Sequence, residues 1–96
     1  MKEVFIVKSE NKQKVEDILK KDDIVSRGSI TIKTPESLDI DEEGYFFILD
    51  APEETIKRTE ELTKNLAEKY KKAKRVIEKA EEQESSAIEG FGNILG

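Results

Sequence analysis

Tyr45-Phe-Phe-Ile-Leu49 is a run of five apolar residues with no polar residue at alternate positions. A strand with one face in water alternates apolar and polar residues, so an unbroken run predicts a strand covered on both faces. Gly44 bounds it on one side and Asp50-Ala51-Pro52 on the other. Such a strand belongs inside a sheet, and the rest of the chain must supply its neighbours and its cover. Val4 to Val7, a short β-branched and aromatic run, reads as a first strand buried on nearly both faces.

Between these two runs the pattern changes. Val15, Ile18 and Leu19 recur at helical spacing while Lys12, Lys14, Glu16, Asp17 and Lys20 take the other faces, which predicts a helix over residues 10–21 with Ser9 as its cap. Asp22-Asp23 and Ser26-Arg27-Gly28-Ser29 bracket Ile24-Val25, the turn chemistry of a loop with an apolar anchor. Ile30 and Ile32 then alternate with Thr31 and Lys33, as in an edge strand with one wet face, and Pro35 ends it.

After the apolar run, Asp50, Pro52, Glu53 and Glu54 combine a cap, a first-turn proline and acids at the positive end of a helix dipole. Ile56, Leu62, Leu66, Tyr70, Ala73, Ile77 and Ala80 continue at intervals that return to one helix face, with no Gly or Pro before Gly90. A helix from there to residue 84 would be about 45 Å long, whereas strands of five or six residues reach about 20 Å. Two arrangements answer the mismatch. Either residues 73–79 form a fourth strand, or the helix is continuous and its distal half packs elsewhere; the strong helix formers of AKRVIEKAEE favour the helix.

The expected architecture is a single α+β domain over residues 1–84, in the order βαββα, followed by an apolar, Gly-rich tail over residues 85–96. Its sheet is mixed and three-stranded, with two helices on one face and a long C-terminal helix. The order of elements over residues 3–70 resembles the ferredoxin-like split βαβ unit, a likeness read as placing the first and third strands adjacent and parallel. The Lys/Glu bias and the closing GFGNILG also resemble short α+β proteins of methanogenic archaea, a likeness that implies no activity.

Composition excludes several chemistries. The chain has 96 residues and a net charge of -5, so it has no long-range attraction for a polyanion, and nucleic acid is not an expected partner. Lys69, Lys71, Lys72, Lys74 and Arg75 put five cations around Tyr70, but Glu68 with Lys72 and Lys74 with Glu78 form i, i+4 pairs of opposite sign, as on an exposed ion-paired helix. With no His and no Cys there is no imidazole or thiolate for catalysis or metal binding, and no enzyme activity is expected. The four apolar residues after Glu3 are too few for a signal peptide or a membrane span, so a cytoplasmic, non-membrane protein is expected. Abundant Lys and Glu also fit a thermophilic habit.

One segment carries a specific signal. In DIDEEGYFFILD, Asp39, Asp41, Glu43 and Gly44 fall on the first, third, fifth and sixth places of an EF-hand calcium loop, with Tyr45 at the seventh and Asp50 at the last. An extended Tyr45–Leu49 would carry Asp50 roughly 20 Å from Gly44, whereas calcium ligands lie about 2.3–2.6 Å from the ion. The strand and the full loop exclude each other. Asp39, Asp41 and Glu43 remain the candidate ligands of a weak, open Ca2+ site, and Asp50 is expected to cap the following helix.

These readings point to a small non-enzymatic binding protein, self-associating as a homo-oligomer or docking a protein partner, with weak calcium binding at the acidic turn. Self-association is motivated by strands buried on both faces beside helices on only one. The apolar tail, with Ile88, Phe91, Ile94 and Leu95, can serve as a docking peptide. The alternative is a small-molecule regulatory module with its ligand at the loop around Ser9 and Asn11.

Overall fold

The computed structural model describes residues 1–83. In chain order the elements are β1 (Lys2–Val7), α1 (Lys12–Lys21), β2 (Ser29–Lys33), β3 (Tyr45–Asp50), α2 (Glu53–Leu62), β4 (Ala67–Lys69) and α3 (residues 73–83). They form an α+β fold around one four-stranded sheet of order β2-β3-β1-β4. Every pairing is antiparallel, with Phe5 opposite Phe47, Ile32 opposite Phe47 and Ile6 opposite Glu68. The first and third strands are adjacent, as expected, but antiparallel. The connection over residues 34–44 turns the chain back after β2, so β3 runs opposite to both of its neighbours.

β3 is an interior strand, and its side chains divide between two cores. Phe47 and Leu49 join Phe5, Val7, Val15, Leu19 and Ile56 beneath α1 and α2. Phe46 and Ile48 join Val4, Leu38, Val76 and Ala80 beneath α3 and the turn over residues 36–38. Both faces of the sheet are therefore covered within one chain. The expected open face, which motivated self-association, is occupied by α3: Val76 is fully buried there, and Tyr70 sets its ring against Phe46 with centroids 4.9 Å apart.

The single long helix expected after Pro52 is instead three elements. α2 ends at Leu62 because Thr59 and Thr63, both buried, turn their hydroxyls back onto the carbonyls of Thr55 and Thr59. Such back-bonding weakens a helix. Asn65 then adopts a left-handed conformation, φ +69°, which ends helical propagation. The freed segment pairs with the open edge of β1 as β4, and the Tyr70 N–H donates to Val4 O at 2.9 Å. The fourth strand thus lies at residues 67–69, and residues 73–79 are helical.

Two expected caps are corrected. Ser9 lies inside a 3-10 turn, Ser9–Asn11, that leads into α1, so its hydroxyl does not flank the helix. Asp50 ends β3, with its carboxylate 3.6 Å from the amino terminus, and Pro52 is the capping residue of α2. Glu53 and Glu54 do occupy the first turn of α2. Asp22, just after α1, accepts from the N–H groups of Ile24 and Val25, and Arg58 of α2 donates to it with Nη2 at 2.7 Å. That cluster fixes the end of α1 against α2. No helix among the described residues is long and apolar enough to cross a membrane. Residues 84–96, including all of the expected tail and its docking side chains, lie outside the described part.

Candidate acidic groove at the end of the sheet

β1 ends, and β3 and β4 begin, at one end of the sheet. Their register places Val7 opposite both Tyr45 and Ala67. Three connections converge there: Lys8 to Asn11 between β1 and α1, the acidic turn before β3, and the link from α2 to β4. Between them is a groove of about 560 Å3. Its apolar wall is Ile6, Leu66 and Ala67, and the side-chain amides of Asn11 and Asn65 stand beside it.

Asp41, Glu42, Glu43 and Glu68 also line the groove, against Lys8 as the one basic lining residue among the described residues. Four acidic residues against one lysine in this lining bias the groove to a negative potential. Local geometry explains the crowding. Gly44, at φ +102°, lets the turn pass so close to β1 that an added Cβ would meet the Val7 carbonyl. A side chain at that position would push the acidic turn off the end of β1.

The acids on the turn have different settings. Glu42 accepts a long hydrogen bond, 3.4 Å, from the Tyr70 hydroxyl, and burial followed by the Glu42 charge pushes the Tyr70 phenol above its usual range. Asp41 and Glu43 are exposed on the turn. On the α1 side, Lys12 places its ammonium 5.6 Å from the centre of the Tyr45 ring and 3.1 Å from Glu16.

The three residues named from the calcium-loop spacing do not converge. Asp41 and Glu43 line the groove, but Asp39 is in the left-handed conformation, φ +58°, at the end of the 36–38 turn. It lines a different depression, of about 290 Å3, beside Lys79 and Glu82. Among the described residues, no group of three or more acidic side chains is gathered as metal ligands. Asp50 lies at the far end of β3, as the strand geometry requires.

Asn11, named as a small-molecule contact, does line the groove, whereas Ser9 is not part of its lining. Glu42, Asn65 and Glu68 were not singled out by the sequence. Glu42 is adjacent to residues that were, and Asn65 carried a usable signal as an asparagine at a helix end. Glu68 had none, because its place depends on the pairing of β4 with β1.

No family model matches this chain, no curated protein matches it, and no solved structure matches it.

Proposed function

We propose that this protein is a small, non-enzymatic binding module whose ligand is an aliphatic cation held in the acidic groove. The observation that carries this reading is the juxtaposition of an apolar wall, Ile6, Leu66 and Ala67, with four carboxylates in a space of about 560 Å3. Small-ligand sites typically measure about 300–1,000 Å3 and combine an apolar lining with a few placed polar groups. A chain of methylenes bearing ammonium groups satisfies both surfaces, as a free polyamine or as a lysine side chain of a partner.

The connectivity βαββαβ with strand order 2-3-1-4 supports a ferredoxin-like arrangement with one further helix, α3. In this reading the groove lies at the first strand-to-helix connection, where a regulatory ligand is expected. Calcium is the weaker competitor. Asp41 and Glu43 are available to it, but Asp39 would have to leave its left-handed turn to complete the set.

Isothermal titration of the full chain with spermidine, beside an uncharged diol of similar length, tests the reading. Saturable binding of the amine alone is expected at low salt. Glu68→Gln should weaken it about threefold, the effect of an exposed ion pair worth roughly 0.5–1 kcal/mol. Equal binding of the diol, no saturable binding of either compound, or an unchanged affinity in Glu68→Gln would overturn it.

A further inference from the structure

β2 is an edge strand: among the described residues it pairs with β3 on one side and with no strand on the other. Two hydrogen bonds elsewhere in the sheet fix which of its backbone groups point outward. The Ala51 N–H donates to the Met1 carbonyl and the Tyr70 N–H to the Val4 carbonyl, both at 2.9 Å. Residues along a strand turn their backbone groups alternately to its two sides, and the register here runs without a break. Tyr45, Phe47 and Leu49, in phase with Ala51, therefore turn theirs to β1, while Phe46, Ile48 and Asp50 turn theirs to Lys33, Thr31 and Ser29. Ile30 and Ile32 are left with N–H and C=O groups aimed at the open edge.

Among the described residues, neither adjoining layer closes over that edge. On one face a groove of about 390 Å3 separates β2 from α1, walled by Leu19, Ile30, Ile32 and Phe47. On the other face, Ser29 and Thr31 border a cavity of about 130 Å3 beside Ile77 and Ala80 of α3. Ile30, Thr31 and Ile32 are each only half buried. β2 has no proline, and its one charge, Lys33, stands at its end. An edge without prolines, bulges or charges along its length is a template for another strand.

The strand complements itself. Two antiparallel copies that overlap all five residues meet on a two-fold axis at Thr31. Ile30 then faces Ile32 of the second copy, and these are the residues whose backbone groups point outward, so each can exchange its N–H and C=O with the other. Their β-branched side chains meet on the α1 face, where the two α1–β2 grooves become continuous. Thr31 faces its own counterpart at a non-hydrogen-bonded position, a favourable cross-strand pair. Lys33 faces Ser29, so no like charges are opposed. Registers displaced by two residues keep the phase but pair only three residues of each strand.

We propose that the protein forms a two-fold dimer through its β2 edges, with Thr31 opposite Thr31, which joins two four-stranded sheets into one. The protein has no cysteine, so single substitutions report the register directly. Thr31→Cys in the full chain would set two Cα atoms about 4.5 Å apart, within the roughly 4.4–6.8 Å that a disulfide spans. Lys33→Cys is the matched control on the same face of the strand. Its two copies would lie four residues apart along the paired strands, about 14 Å.

On oxidation, the disulfide-linked dimer should form at least tenfold faster from Thr31→Cys than from Lys33→Cys. Equal rates, or a faster Lys33→Cys, would overturn the proposal. Sedimentation equilibrium of the natural chain needs no cysteine: a dimer that grows with concentration is expected, and a strict monomer at about 1 mM would also overturn it. Amide hydrogen exchange identifies any other cover. Exchange at Ile30 and Ile32 should slow as protein concentration rises, and slow exchange independent of concentration would place the cover within one chain and overturn the dimer.

Discussion

Gly44 joins the acidic turn to β3 at φ +102°, a backbone conformation that residues with a Cβ rarely adopt. Gly44→Ala would bring a Cβ against the Val7 carbonyl oxygen and within 3.1 Å of its carbon, so the end of β1 must move as well. The disfavoured φ costs about 1–3 kcal/mol and the overpacking a similar amount. The reduced freedom of the unfolded chain returns at most about 1 kcal/mol. The net loss is about 3 kcal/mol, which lowers Tm by roughly 12–24 °C in a domain of this size.

Gly28→Ala is the matched control. Its φ is ordinary, and its Cβ would come 3.2 Å from the Ala51 Cβ, a contact that a small shift relieves. The expected change is within about 1 kcal/mol. Urea unfolding followed by circular dichroism at constant m measures both variants. A Gly44→Ala protein as stable as Gly28→Ala would refute the account of how the acidic turn is held against β1, and with it the shape of the groove.

Three further outcomes follow from the packing and the charges. Val76→Ala removes two buried methyl groups from the core beneath α3, at roughly 0.8 kcal/mol each plus a cavity term, so unfolding free energy should fall by about 2–3 kcal/mol. A change below about 0.5 kcal/mol would mean that α3 does not cover the sheet. The Arg58 side chain, followed by the Val25 N–H, lowers the Asp22 pKa from 3.8 to about 2. A lowered folded-state pKa stabilises the fold above pH 3.8, and that contribution fades as pH falls from 3.8 to about 2. The stability gap between the natural chain and Asp22→Asn should therefore narrow over that interval, and a gap that widens would reverse the sign. In a calcium titration followed by amide NMR, shifts at millimolar ion should be small and no larger than those with magnesium, since Asp39 lies apart from Asp41 and Glu43; saturable shifts confined to residues 39–45 that vanish in Asp41→Asn would restore calcium as the ligand.

The first three strands and the first helix were legible because their patterns are local. Phe46 through Leu49 required two covered faces, Ile30 and Ile32 alternated as an edge strand does, and Val15 and Leu19 marked the buried side of α1. The division of the C-terminal half was not legible. Ala67-Glu-Lys69 has no strand preference of its own, and the open edge of β1 supplies the reason it is extended. Asn65 was the one local sign of the break, outweighed by the helix formers around it.

The candidate site divides in the same way. The acidic turn was visible as a carboxylate cluster before Gly44, but the groove also needs the wall from Asn65 to Glu68, which exists only once β4 pairs. Asp39 was grouped with Asp41 and Glu43 because spacing along a sequence assumes one continuous loop. The left-handed turn at Asp39 sends it to the other side of the connection.

Amide NMR of the full chain titrated with spermidine at low salt tests the central claim most directly, because it reports where a cation binds as well as whether it does. The account predicts saturable shifts concentrated at residues 6–11, 41–43 and 65–68, diminished in Glu68→Gln. Shifts spread evenly over the acidic surface, or concentrated on the α1–β2 groove, would contradict it.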